Sequence, residues 1–286
     1  MNNLLLRSLT GLVYVALIVC SILYGGMWGL TALLALFAVL STVELHSLCG
    51  GTGQSGTTAT LIIDIAGSMA VTAAPALYAT AYLHSGPWAA FATAAVPFMA
   101  YLIVRLIAQL YVTPDISPLR SLACSLSGQT YISLPLACAA AVYIMSSPSM
   151  TLLMFVMIWL NDTGAFCVGS MIGRRRLFER ISPKKSWEGF FGGMAFCIIC
   201  AIAAGHISCG LPGYMSIGLL AAYAVAACLF ATWGDLVESL LKRTLKVKDS
   251  GRLLPGHGGI LDRIDSLLLV APATLIFLSI CIIAIL

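Results

Sequence analysis

The stretch "SLLLVAPATLIFLSICIIAIL", Ser266 to Leu286, carries no charge over 21 residues. As a helix rising about 1.5 Å per residue it covers about 30 Å, the thickness of a bilayer's hydrocarbon core. Immediately before it stands "KRTLKVKDSGRLLPGHGGILDRID", Lys242 to Asp265, dense in Lys, Arg and Asp. Burying those charges in lipid is prohibitive, so the cluster belongs at a wet surface or in a cavity that meets something charged.

Working outward, the same oily texture recurs along the whole chain. Mean hydropathy is +1.00, and of 286 residues 60% are hydrophobic and 9% charged. The runs predict about nine spans: Leu4–Tyr24, Trp28–Val43, Ala59–Leu83, Trp88–Val112, Leu122–Met145, Thr151–Met171, Gly189–Cys209, Tyr214–Trp233 and Ser266–Leu286. Lipid offers backbone groups no water, so spans are helices or closed barrels. These runs lack the alternation of barrel strands. The expected fold is an all-α polytopic membrane protein. Arg7 ahead of an apolar core resembles a signal peptide, but the core is long and "YGGMWG" follows it without a small-x-small cleavage pattern, so an uncleaved first span is expected.

Charge divides the chain. Twelve of 15 basic and eight of 11 acidic residues fall between Asp162 and Asp265. Residues 1–150 therefore read as scaffold helices, and 151–286 as the helices that carry the chemistry. Positive loops face the cytoplasm. The loop "GRRRLFERISPKK", with Arg174, Arg175, Arg176, Arg180, Lys184 and Lys185, sets that side. Parity then places the 242–263 loop and the N-terminus inside and the C-terminus outside.

The ten cysteines lie mostly within apolar runs at irregular spacing. The C-x-x-C of Cys197 and Cys200 has no second pair or His at zinc spacing, so the thiols read as small packing residues. Gly51, Gly53 and Gly56 form a G-x-G-x-x-G with neither a preceding strand nor a downstream acid, which reads as a linker. A P-loop motif is absent.

Asp162 in "MIWLNDTGAF" either faces a polar site at membrane depth or marks the end of a shorter helix. Asp64, in the third span, raises the same question without charged sequence neighbours. In "ISPKKSWEG", Ser182 reads as an N-cap and Pro183 as the first helical residue, so that Lys184 and Lys185 project from a helix start; they serve a phosphate or merely set topology. Asp235, Glu238 and Lys242 recur at helical spacing on one face. Asp262 and Asp265 share a face at the start of the last span. With Asp235 and Asp249 they are hard oxygen donors of the kind magnesium takes together with substrate phosphates, whose remaining charge Lys and Arg neutralise.

The run Ser239–Asp265, "SLLKRTLKVKDSGRLLPGHGGILDRID", resembles the signature of the phosphatidate cytidylyltransferases, the CDP-diacylglycerol synthases, with K-R, K-D, H-G-G and D-R-x-D at its spacings. The similarity continues upstream through "NDTGAF", "SPKKSWEG" and "GDLVES". Phe166 stands where the family often has Tyr, and Ser170 where it often has Arg. The resemblance implies condensation of CTP with phosphatidate to CDP-diacylglycerol and pyrophosphate, at the cytoplasmic face of a bacterial inner membrane, with Mg²⁺ and room for a second cation. It implies Asp235 and Asp262 as metal ligands, and Asp249 and Asp265 as assisting acids. Lys242, Arg243, Lys248 and Arg263, with Lys184, Lys185 and Asp162, would bind substrate, and His257 would contact phosphate or the leaving group. CTP, phosphatidate, the bilayer and a second copy of the chain are the implied partners; nucleic acid is not. A CTP-dependent lipid kinase or a cytidylyltransferase for another lipid phosphate would use similar residues. A secondary transporter is the alternative from another class, against which stand the lack of an inverted repeat and the concentration of charge in one half.

Overall fold

The protein's structure, a computed structural model, describes residues 3–50, 58–111, 117–207, 210–251 and 258–284, the first six of them by their backbone alone. Its helices are α1 (Asn3–Leu23), α2 (Gly26–Gly50), α3 (Thr58–Leu110), α4 (Pro118–Ser127), α5 (Leu134–Met145), α6 (Pro148–Ile172), α7 (Trp187–His206), α8 (Ile217–Thr244), α9 (Leu261–Ile264) and α10 (Leu267–Ile283). A π-helical turn, Gly128–Ser133, joins α4 to α5. Strands β1 (Arg176–Phe178) and β2 (Ser182–Ser186) form one antiparallel hairpin between α6 and α7. The all-α expectation therefore holds apart from this hairpin.

Among the described residues, seven helices are long and apolar enough to cross a membrane, where about nine spans were expected. One structural feature accounts for part of the difference. The third and fourth expected spans run on as α3, a 53-residue helix broken only where Gly86 takes φ 82° and ψ 176° ahead of Pro87. Only glycine occupies that backbone region at ease, and a proline cannot donate back into the preceding turn. Elsewhere the helix starts follow local chemistry. Ser147, Ser186 and Ser216 each accept a hydrogen bond from the third residue of the helix they begin, satisfying amides that have no partner within the helix.

The chain divides into two compact units, Met1–Ile144 with Asp249–Arg263, and Met145–Lys248 with Ile264–Leu286. In the first, α2 packs on α3, and α3 on the π-helical turn. Asp64, fully buried on α3, is the electrostatic centre of this packing. Its Oδ1 accepts from the Tyr101 hydroxyl at 2.9 Å and stands 3.3 Å from Arg105 Nε. Its Oδ2 accepts from Ser125 Oγ at 2.6 Å and faces His46 Nε2 at 2.7 Å. Arg105, 2% exposed, donates onward to Ser121, Ser125 and Gln109. The partners missing from Asp64's sequence neighbourhood thus arrive from elsewhere: the imidazole of His46 from α2 and the guanidinium of Arg105 from the far half of α3.

In the second unit α6 lies along α7, and α8 packs on both α7 and α10. Every described cysteine is a free thiol. Cys197 is buried and donates to the Met157 carbonyl at 3.3 Å, a packing role as expected. The glycine motif at 51–56 lies outside the described residues.

Breaking the buried pair leaves an uncompensated charge, which typically costs about 3–5 kcal/mol. Asp64→Leu is therefore expected to lower the unfolding temperature in detergent sharply, and the double variant Asp64→Leu/Arg105→Met to recover a large part of the loss. A thermal melt of the three purified proteins checks this.

Candidate functional site

The second unit's site begins with how closely α6 and α7 approach. A Cβ on Gly164 would come within 3.0 Å of Gly193 Cα, and one on Gly193 within 2.7 Å of the Asn161 carbonyl. Small residues of this kind let helices meet at backbone distance where lipid provides no hydrophobic drive between them. Asn161 is buried by this contact and its Oδ1 accepts from Cys228 of α8 at 2.9 Å. The next residue, Asp162, is exposed on α6, which runs ten residues further to Ile172. Asp162 therefore does not mark the end of a shorter helix.

The segment "ISPKKSWEG" differs from expectation. Ser182 is not an N-cap, nor are Pro183, Lys184 and Lys185 helical: residues 182–186 form β2, and α7 begins at Trp187. The residue before a proline is driven to extended conformation, and Phe178 pairs with Ser182 across the hairpin. Ser186 is the cap instead, accepting from Gly189 N at 3.1 Å. Glu188, in the first turn of α7, accepts from the amides of Arg174 and Arg175 and so ties the hairpin's base to the helix.

This hairpin aims its lysines at α8. Lys185 Nζ is 2.6 Å from Asp235 Oδ2, both side chains being about a third exposed or less, and Ser239 donates to Asp235 Oδ1 at 3.1 Å. Asp162, Lys184, Lys185 and Asp235 line one cavity of about 370 Å³, together with Phe166, Ser170 and Thr232. The two positions that depart from the family's common residues are thus both at this wall. Asp265, half-buried, feels the charges of Asp235, Glu238 and Asp162 and accepts from the Ser266 amide at 2.6 Å. One turn beyond Asp235, the buried Glu238 pairs with Lys242 of the following turn at 2.7 Å, and Arg243 Nε reaches the Ile181 carbonyl of the hairpin at 3.5 Å. Lys248 is exposed.

The remaining signature residues belong to the first unit. Asp262 Oδ2 accepts from the Ser250 amide, the Ser250 hydroxyl and the Gly259 amide, each at 2.9 Å. Asp249 and Arg263 are exposed, and the Arg263 carbonyl accepts from the Tyr14 hydroxyl at 3.1 Å. The helix is interrupted at Asp265–Ser266, between α9 and α10, so Asp262 and Asp265 do not share the face of one continuous helix. The Asp265 carboxylate caps its neighbour's amide there instead of continuing the turn. His257 lies outside the described residues. Among the described residues, no three His, Cys, Asp or Glu side chains stand close enough together to hold a metal ion by themselves.

Sequence reasoning passed over Glu44. It is buried on α2, and its carboxylate accepts from the Ile260 and Leu261 amides and the Ser250 hydroxyl. The signal was present: a lone acid directly after the apolar run that ends at Val43.

These features define a class, a multi-helix membrane protein whose polar cavity sets two lysines against two carboxylates. Residues 5–281 match the sequence profile described as "Cytidylyltransferase family". The phosphatidate cytidylyltransferase of Staphylococcus epidermidis is 47% identical over 119 residues, 41% of this chain and 44% of that protein. Those of Staphylococcus aureus and Staphylococcus haemolyticus are 46% identical over 118 residues and 44% over 119. The matched segment thus spans less than half the length of these relatives. The chain belongs to the cytidylyltransferase family.

Because Asn161 and Gly193 are in contact, Gly193→Leu is expected to pry α6 from α7. Overpacking of this kind costs about 1–3 kcal/mol or more. A lowered melting temperature together with faster alkylation of the buried Cys228 would register it.

Proposed function

We propose that the protein condenses CTP with phosphatidate, giving CDP-diacylglycerol and pyrophosphate. What carries this reading is the convergence of Lys184, Lys185, Asp162 and Asp235 on one cavity, in a chain matched by the cytidylyltransferase profile almost end to end. An oxygen of the lipid phosphate attacks the α-phosphorus of CTP. The bond from that phosphorus to the β-phosphate oxygen breaks, and pyrophosphate leaves. No side chain need act as a covalent nucleophile, so the protein's task is to orient two anions and neutralise them.

The donor set suits magnesium. Asp235, Asp162 and Asp265 are hard oxygen donors whose mutual repulsion in one region a divalent cation would relieve, and too few in number to close the coordination shell without substrate oxygens and water. When bound, the ion would neutralise charge on the phosphates. Lys185 holds Asp235 in the structure. An entering phosphate competes for that ammonium and releases the carboxylate toward the cation. Lys184 extends the positive wall, while Lys242, Arg243 and Lys248 continue it along the end of α8 and beyond. In the first unit, Asp262 ties Ser250 to Gly259, and Asp249 and Arg263 present charge beside them. The positive charge of the 174–185 segment supports a cytoplasmic orientation for it, on the side where CTP is found, with the bilayer supplying the lipid.

Purified protein given α-labelled CTP and phosphatidate in mixed micelles is expected to release pyrophosphate and make a labelled liponucleotide. A chelator should stop the reaction and added Mg²⁺ restore it. Asp235→Asn is expected to lower the rate by about 100-fold or more, the scale on which removing one electrostatic stabiliser acts. Release of CDP with transfer of the γ-phosphate would instead establish a lipid kinase, and full activity in chelator would remove the metal assignment.

A further inference from the structure

The buried Glu44 lies far in sequence from the signature and outside every residue so far given a role in the reaction. The residue is 7% exposed, and its carboxylate receives the amides of Ile260 at 2.9 Å and Leu261 at 3.0 Å and the hydroxyl of Ser250 at 3.2 Å. These partners stand on both sides of residues 252–257 in the sequence: Ser250 before them, Ile260 and Leu261 after them. Charge-assisted bonds to a buried carboxylate are the strong kind, and an amide in its place would turn an N–H toward donors. The glycines of the signature follow from the same contact. A Cβ on Gly251 would come within 2.5 Å of Glu44 Oε1, and one on Gly259 would overlap both the Ser250 hydroxyl and the Glu44 carboxylate. At Gly258, φ is +83° and a Cβ would meet Asp262 Oδ2 at 2.8 Å. Two carboxylates, Glu44 from α2 and Asp262 from α9, thus share the Ser250 hydroxyl and draw the two arms of the signature together.

We propose that Glu44 is a positioning residue for the reaction: it fixes the arms at 250–251 and 259–261, and through them sets where the charges of Asp249 and Arg263 stand, without itself touching substrate. As a kinetic statement this rests on the cytidylyltransferase reading given above. Misplacing reacting groups by about 1 Å can cost about 100-fold in rate.

In folded, monodisperse Glu44→Gln, kcat is therefore expected to fall by about 10- to 100-fold while KM for CTP changes by less than about 3-fold, the division expected when orientation rather than ground-state binding is lost. Gly259→Ala, which leaves the carboxylate but crowds it, should reproduce the same division. Thr42→Ala, on the same helix and bonded to Ser68, should leave kcat near wild type. Amide exchange offers a readout independent of turnover: Glu44→Gln should speed exchange at Ser250 and at Gly259–Leu261 by about 10-fold or more while leaving α10 protected. Should Glu44→Gln not fold, Ser250→Ala, which removes only the shared hydroxyl, carries both measurements. A folded Glu44→Gln with kcat within 2-fold of wild type, or a Thr42→Ala defect as large as that of Glu44→Gln, overturns the proposal. Wild-type protein that makes no liponucleotide refutes the proposed reaction; the exchange measurement then decides whether Glu44 holds the segment.

Discussion

A carboxylate inside an apolar helix bundle must be neutralised by the protein itself, because neither water nor lipid will do so. Three acids of this chain meet that demand in three ways. Asp64 takes Arg105, His46 and two hydroxyls gathered from α2, α3 and α4. Glu44 takes two backbone amides and a hydroxyl. Asp235 takes Lys185 from a hairpin. In the first two cases, segments with little specific attraction for one another are bound by a polar contact whose loss would strand a buried charge.

The three solutions differ in what they leave available for chemistry. Asp64 is closed off and surrounded by donors, which suits an acid that orders a scaffold. Glu44 spends its oxygens on backbone, which suits an acid that shapes a loop. The Asp235–Lys185 pair is partly exposed on the wall of a cavity, where an anion and a cation could exchange partners with it. Burial and partner type thus separate the two enclosed acids from the one that lines a cavity, although all three are carboxylates near the ends or middles of apolar runs.

Glycine has a matching part. Between α6 and α7 it lets backbones touch, which brings Asn161 and Asp162 to the hairpin that carries the lysines. In the signature segment it leaves room for the carboxylates of Glu44 and Asp262. Neither use depends on flexibility; both are steric vacancies filled by a neighbour.

Helical, membrane-spanning character was legible from the sequence, because hydropathy over about 20 residues is a local property. So were the grouping of charge from Asp162 onward and, among the described cysteines, the free thiols. Periodicity along α8 correctly put Glu238 and Lys242 on one face, since residues four apart meet within a single helix. The hairpin at 176–186 was misread as a helix start, because Ser-Pro followed by lysines is compatible with a capped helix and with an extended strand, and pairing with a partner strand decided between them. Only the tertiary structure could bring Arg105 to Asp64, Lys185 to Asp235, or Glu44 to amides more than 200 positions away. Hydropathy and periodicity record what one segment prefers, whereas the partner of a buried charge is whichever donor the packing of distant segments delivers.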